Sequence, residues 1–435
     1  MRRQLERYFE FEALGTDWRR EIVAGFTTFV TMAYIIFVNP SILADAGMKP
    51  GAVMAATCLS AAVASILMGA VARYPIALAP GMGLNAYFTY SVVKGMGVAW
   101  ETALGAVFVS GAIFFVLTLA GVRERLFAAI PAELYDAVAA GIGLFIAFIG
   151  LKNAGIIVAH PATTVALGKL SDPGTLLALF GLVLMATLLA RGFPAAILVG
   201  ILGTALVGSL LGVGQVAMAP VALGDLWLTA GKLDVGAALR LGVLEVVFVF
   251  LFVDLFDNFG TLVAVGRKAR LFDSANRIPR VRRILLTDAT ASMAGAALGT
   301  STVVSYIESA AGIVAGGRSG VTAIVTGLLF ALALVVAPLV GGIPAAATAP
   351  ALILVGAAML PHAAGIEWSD PGVAIPSFLT LVAIPLTFSI ANGVALGFTA
   401  WTLLKLTTGR AREVSWVVWL LTALFVARFV WLGAG

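Results

Sequence analysis

Apolar stretches of roughly 17 to 25 residues, the length a helix needs to cross about 30 Å of hydrocarbon, recur along almost the whole chain. Inside a bilayer every backbone polar group must find its partner within the protein, which leaves only helices and closed barrels. Barrel strands would alternate polar and apolar residues over about 10 positions, and these stretches do not. The sequence therefore specifies an all-α polytopic membrane protein. Its charge agrees: 11% of the 435 residues are Asp, Glu, Lys or Arg, against roughly 25% in soluble domains.

The stretches fall at 22–44, 51–71, 78–95, 102–121, 134–151, 173–191 and 194–213. After a more polar connection, 214–239, they resume at 241–266, 283–298, 302–315, 319–340, 346–361, 374–390, 391–406 and 414–432. The charged segment 1–21 lacks the apolar core and cleavage site of a signal peptide, so the first span is expected to stay in the mature protein. Basic residues cluster at Arg2, Arg3, Arg7, Arg19 and Arg20, at Arg123 and Arg125, between Arg267 and Arg283, and at Arg410 and Arg412. In a soluble protein a net charge of +5 would raise nucleic-acid binding. Here the clusters read as topology signals that place all four, and the amino terminus, in the cytoplasm. Counted from there, the fourth and eighth spans end at Arg123 and Arg267, on the basic side. Seven spans precede the polar connection, so the second seven start from the opposite side, as inverted repeats do. One stretch, 414–432, is left over: either it lies in the interface or one of the earlier pairs is a single broken helix.

Two stretches interrupt themselves. "ALAPGMGLNAYFTY", 77–90, is the third of the first set, and "GTSTVVSYIESAAG", 299–312, is the third of the second. Both are short, rich in small residues and broken at corresponding positions. Paired interruptions of this kind point to a transporter's midplane site, where freed backbone groups and half-helix amino termini face a substrate.

The acids inside apolar stretches carry weight, because a carboxyl at mid-bilayer costs at least about 2.5 kcal/mol. Asp254, Asp257 and Glu308 stand out. On a helix Asp254, Asp257 and Thr261 share one face, being three and four residues apart. That face is expected to turn inward, with one aspartate free to serve only as a structural hydrogen-bonding group. Glu308 either caps a half-helix or projects into the cavity. A buried carboxyl without a cation partner is the type of group that proton coupling requires.

Other chemistry finds little footing. Cys58 has no second cysteine to pair with. His160 and His362 fall in loops without a second ligand at metal spacing. No phosphate-binding loop, nucleophile or cofactor motif accompanies the acids, so neither an ATP-driven pump nor an enzyme is expected. A channel would need a continuous pore ringed by like groups. Gly141 and Gly143 offer either a dimer face or internal helix packing.

The motifs "TMAYIIFVNP" (31–40), "ALAPGMGLNAYF" (77–88), "VDLFDNFGTL" (253–262), "GTSTVVSYIESAAG" (299–312) and "FSIANGVALGF" (388–398) together resemble the nucleobase/ascorbate transporter superfamily, specifically its AzgA-like hypoxanthine, guanine and adenine permease branch. They run in family order over nearly the whole chain. The resemblance implies about fourteen transmembrane segments in two inverted sevens, 22–213 and 240–406, with 407–435 as a further apolar helix. It implies a core domain from about 22–121 and 240–340, and a gate domain from about 126–213 and 346–435. The third and tenth segments would each carry a short strand and a half-helix.

The same resemblance makes Asp257 and Glu308 the acids that bind a purine base and take part in proton coupling. Ala79, Pro80 and Gly81 would line the site. Thr261 shares the inward face, Asp254 is a further proton-coupling candidate, and Tyr306, Phe259 or Phe88 would stack on the base. A purine edge offers donors to a carboxylate and acceptors to backbone N–H groups, which fits these residue types. The expected protein is a proton symporter of the inner cell membrane, without cofactor or metal, forming a homodimer. An anion carrier of the same fold is the alternative. The chain departs from the family pattern at Asn258, Val303, Val304 and Asn392, which bears on the preferred purine more than on the class.

Overall fold

The computed structural model describes residues 2–121, 131–213, 223–269, 278–336 and 343–431. Arg123 and Arg125, and part of the Arg267–Arg283 run, lie outside them. Two short helices, α1 (Arg2–Tyr8) and α2 (Phe11–Leu14), precede α3 (Trp18–Met32), α4 (Ile35–Ala44) and α5 (Pro50–Leu67). Strand β1 (Leu78–Pro80) leads into α6 (Met82–Ala86), which continues as a wider π-helix to Gly95, and α7 (Trp100–Leu119) follows. Next come α8 (Ala132–Asn153), a hairpin of β2 (Ile157–His160) and β3 (Thr164–Leu167), α9 (Pro173–Ala190) and α10 (Ala196–Leu210).

Beyond the polar connection stand α11 (Val235–Ala238), α12 (Leu241–Ala269) and α13 (Val281–Leu298). Strand β4 (Val303–Ser305) then leads into α14 (Ser309–Val314). The chain closes with α15 (Gly320–Val336), α16 (Ala345–Met359) with a 3-10 turn to Gly365, α17 (Pro371–Leu386), α18 (Ile390–Thr407) and α19 (Trp416–Trp431). This is a mostly helical, polytopic membrane fold. Most expected spans agree with these helices to within a few residues, and the two interrupted stretches are strand-then-helix units.

The interruptions have local causes. Proline disfavours helix in the residue before it and donates no N–H, so Pro75 and Pro80 hold 76–80 extended until Gly81 admits the start of α6. At the second break Gly299, in the left-handed region at φ +92°, ends α13, and β-branched Val303 and Val304 take the strand.

Helices α3, α5, α7, α13 and α15 pack mainly with one another, as do α8, α9, α10, α16, α17 and α18. In the second set a Cβ at Gly356 would stand 2.3 Å from the Gly143 carbonyl oxygen, so α8 and α16 touch backbone to backbone. Gly141 makes room for the Ile384 side chain of α17, whose Cδ1 would lie 2.7 Å from a Cβ there. Both glycines are therefore internal packing surfaces. Helix α19 does not stand apart: Phe425 meets Phe248 and Phe252 of α12 at 5.7 and 6.3 Å and Phe398 of α18 at 6.2 Å.

Candidate functional site

Strands β1 and β4 cross the middle of the fold as an antiparallel pair, Leu78 opposite Ser305, Ala79 opposite Val304 and Pro80 opposite Val303. A two-stranded ribbon has two open edges, and an apolar interior supplies no water to satisfy them. Side chains do so instead. On the β1 side the Ser65 hydroxyl accepts from Leu78 N–H at 2.9 Å and donates to the Leu78 carbonyl at 3.0 Å. On the β4 side Ser292 donates to the Val303 carbonyl at 2.8 Å, and the Asn258 carbonyl accepts from Ser305 N–H at 3.1 Å. Backbone bonds Gly81 N–H to Thr302 and Tyr306 N–H to Ala77 extend the pairing at both ends.

The residues that follow the two strands line one cavity of about 360 Å³, within the roughly 300–1,000 Å³ of small-molecule sites. One wall comes from the broken segments and their neighbours: Thr31, Tyr34, Gly81, Met82, Gly83, Thr261, Ser305, Tyr306 and Glu308. The other, from α8, α10 and α16, is apolar at Val138, Ile142, Ile197, Leu354, Val355 and Met359, with Tyr135 and His362 as its polar members. At Gly83 a Cβ would meet the Ile142 methyl at 2.5 Å, so glycine there lets the walls approach.

Glu308 is half-buried on the polar wall. It sits at the N-cap of α14 without its side chain capping the helix. Instead the Tyr34 hydroxyl donates to its Oε1 at 2.6 Å, a charge-assisted distance. Beside it the Ser305 hydroxyl is buried and has no hydrogen-bond partner among the described residues. The first turn of α6, whose N–H groups have no intrahelical acceptor, lines the same space without a side-chain cap. The wall thus offers a carboxylate acceptor and backbone donors to a flat, polar-edged ligand, with apolar surface facing it.

Two buried polar networks hold the ribbon from behind. Asn258 donates to Asp254 and to Asp288, each at 2.7 Å, while its carbonyl takes the Ser305 N–H. On the other flank Asn85 donates to Asn39 at 2.6 Å, and Asn39 donates to Thr57 and Thr300 at 2.7 and 2.9 Å. Ser301 donates to the Asn85 carbonyl in a very short contact.

The expected site residues are thus distributed unevenly. Gly81, Thr261, Tyr306 and Glu308 line the cavity. Ala79 and Pro80 are fully or nearly buried in β1, one layer behind it, and the Pro80 carbonyl accepts the Tyr306 hydroxyl at 2.5 Å. Asp254 is 1% exposed and serves the Asn258 network instead of the cavity. Phe88 is fully buried against Phe250, a packing ring and not a stacking platform. Asp257 and Phe259 have their backbone in α12, and their side chains lie outside the described residues.

Three groups escaped the sequence reading. Asp288, in the middle of α13, is buried. Glu21, grouped by sequence with the charged terminus, is fully buried in α3 and accepts from Arg318, Ser319 and Thr322 N–H at 3.0, 3.1 and 3.2 Å, capping α15. His362, expected in a loop, stands on the cavity wall. For Glu21 the adjoining arginines hid the signal, whereas Asp288 lies inside the expected span 283–298 and carried the same signal as Asp254.

The sequence model of the Permease family matches residues 19–395. The chain belongs to that family. The permease is 52% identical to a putative permease of Methanocaldococcus jannaschii over 98% of each chain. It is 44% identical to the adenine permease AdeP of Escherichia coli, over 99% of this chain and 97% of the relative. It is likewise 44% identical to the guanine/hypoxanthine permease PbuG of Bacillus subtilis, over 98% and 100%. Among solved structures, the transmembrane domain of a cyanobacterial bicarbonate transporter, BicA, matches with TM-score 0.65 at 13% identity, over 88% of this chain and 98% of that one. At that identity the likeness concerns the fold alone. The motif resemblance to the purine permease branch of the nucleobase/ascorbate transporter superfamily holds, and the permease is an integral membrane transporter.

Proposed function

We propose that this permease takes up purine nucleobases, among hypoxanthine, guanine, adenine and xanthine, by proton symport with alternating access. The observation that carries the reading is Glu308: a carboxylate held by Tyr34 at a broken segment, on the polar wall of a cavity whose other wall is apolar. A purine has donor edges for the carboxylate, acceptor atoms for the α6 N–H groups, and a ring face for the apolar wall. The names of the 44%-identical relatives, an adenine permease and a guanine/hypoxanthine permease, support the substrate class.

In this reading Glu308 and Asp257 bind the base and exchange the coupled proton. Residues 22–213 and 240–406 are two inverted sevens. The set containing the broken segments is the core, which moves against the α8–α10 and α16–α18 gate. The amino terminus faces the cytoplasm of an inner-membrane protein, and two copies form the dimer that the family resemblance suggests. An anion carrier is the alternative, favoured only by the fold of the bicarbonate transporter; a carboxylate on the cavity wall opposes an anion.

The test is uptake of radiolabelled hypoxanthine and adenine into proteoliposomes, with and without an inward proton gradient, competed by guanine, uracil, sulfate and bicarbonate. Gradient-driven uptake blocked by purines alone is expected. Sulfate or bicarbonate transport without purine uptake would sink the reading.

A further inference from the structure

The apolar wall of the cavity carries one built polar pair. His362, in the turn that ends α16, lines the cavity, and its Nδ1 lies 3.1 Å from Oδ1 of Asp136 on α8. The chain makes room for this contact: a Cβ at position 365 would stand 2.2 Å from the other Asp136 oxygen, and the residue there is Gly365. Both side chains are about a quarter exposed, 30% and 24%, and of the two it is His362 that lines the cavity. The neighbours on this wall are hydrocarbon apart from Tyr135.

A carboxylate only accepts hydrogen bonds, so the imidazole nitrogen facing Asp136 carries the hydrogen. In the neutral ring the other nitrogen, Nε2, is then an acceptor, fixed in that role by the aspartate as an outer partner fixes the tautomer of a liganding histidine. We propose that His362, oriented by Asp136, is a second polar contact for the transported base. It takes a hydrogen bond from a ring N–H or amino group from the gate side while Glu308 takes one from the core side. The inference rests on the purine reading above and deepens it. The ligand is thereby required to present donors on two edges, as aminopurines and oxopurines do and inorganic anions do not. Because the two acceptors stand on helix sets that pack separately, a base with both donors bridges them, and loss of either contact weakens binding without removing the machinery of movement.

The experiment is the concentration dependence of purine uptake by proteoliposomes of the full chain, with adenine and hypoxanthine as probes, for the wild type and for His362→Leu, His362→Gln and Asp136→Asn. Loss of one neutral hydrogen bond predicts a KM raised about threefold to tenfold in His362→Leu, with Vmax within about twofold. Gln keeps an amide that donates to Asp136 and accepts on its other side, so His362→Gln returns most of the lost affinity. Asp136→Asn still bonds the ring but no longer dictates which nitrogen holds the hydrogen, so its KM rises in the same direction by a smaller factor. A merely structural tie would leave the KM of Asp136→Asn and of His362→Leu at the wild-type value, and that result overturns the proposal while the purine reading stands. A fall in Vmax at unchanged KM also overturns it. If His362→Leu does not fold, Asp136→Asn decides alone: a raised KM supports the proposal and a wild-type KM overturns it. A wild type that carries no purine overturns both readings together.

Discussion

The strands at Leu78–Pro80 and Val303–Ser305 perform the same backbone task with different chemistry behind them. The first is held by the Ser65 hydroxyl and runs into α6, whose Asn85 joins a neutral network of amides and hydroxyls with Asn39, Thr57, Thr300 and Ser301. The second is backed by one amide, Asn258, shared between the carboxyls of Asp254 and Asp288. The charge on the cavity follows the same division, since the first broken segment supplies the uncharged Gly81, Met82, Gly83 and Leu84 while the second supplies Glu308. A neutral network can hold a strand in one place at modest cost, whereas buried carboxylates make the position of β4 depend on their donors. The half that supplies the cavity's carboxylate is thus also the half with ionisable support.

The comparison can be broken most directly at its functional end. Glu308→Gln is expected to abolish uphill accumulation of purine, and Asp257→Asn to do the same; wild-type accumulation by either variant removes that residue from the site. Next in size, Asn258→Leu deprives Asp254 and Asp288 of a shared donor and is expected to cost about 3–5 kcal/mol. The neutral counterpart Asn39→Leu should cost only about 1–3 kcal/mol. Thermal unfolding of both variants in the same detergent measures the difference, and equal losses would erase the distinction between the two networks.

A smaller effect is expected at the contact between the halves. Tyr34→Phe removes a charge-assisted bond to Glu308 and should weaken purine binding by about 1.5–3 kcal/mol, read as a rise in KM. An unchanged KM would mean that Glu308 is oriented without Tyr34.

The smallest effect belongs to an exposed carboxylate far from both strands. Arg410 first, then Lys405, hold Glu413 down to about 2 from an ordinary 4.5, at distances of 2.7 Å each. A depressed carboxyl contributes stability that is fully present above its unfolded value and is lost as pH falls toward its folded one. The link between α18 and α19 should therefore loosen only between about pH 4.5 and 2. Arg410→Ala should move that loss to higher pH in a melting series, with little change at neutrality because exposed pairs contribute little.

Much of this was legible before any coordinates. Pro80, Gly81 and Gly299 mark the breaks because backbone restrictions are properties of single residues. Glu308 was legible because a carboxyl in an apolar stretch is costly wherever it points. Asp254 and Thr261 were read onto one face, and the face does turn inward, yet one serves a buried network and the other the cavity. Spacing gives a face but not the layer it reaches. Phe88 failed as a stacking ring for the same reason: its neighbour Phe250 lies on a helix far along the chain. Glu21 was missed because adjoining arginines made it look like a loop charge, Asp288 although it lies inside the expected span 283–298, and His362 because its partner Asp136 belongs to another helix.

Length, apolarity and the proline and glycine positions by themselves determined a helical membrane protein with two interrupted segments, since each acts through local backbone geometry and the bilayer's thickness. Only the tertiary structure decided which acids meet the cavity, which are shared between helices and which cap one. That choice depends on how each helix is rotated against its neighbours, and helices that are apolar on nearly every side carry too little contrast along the sequence to fix the rotation.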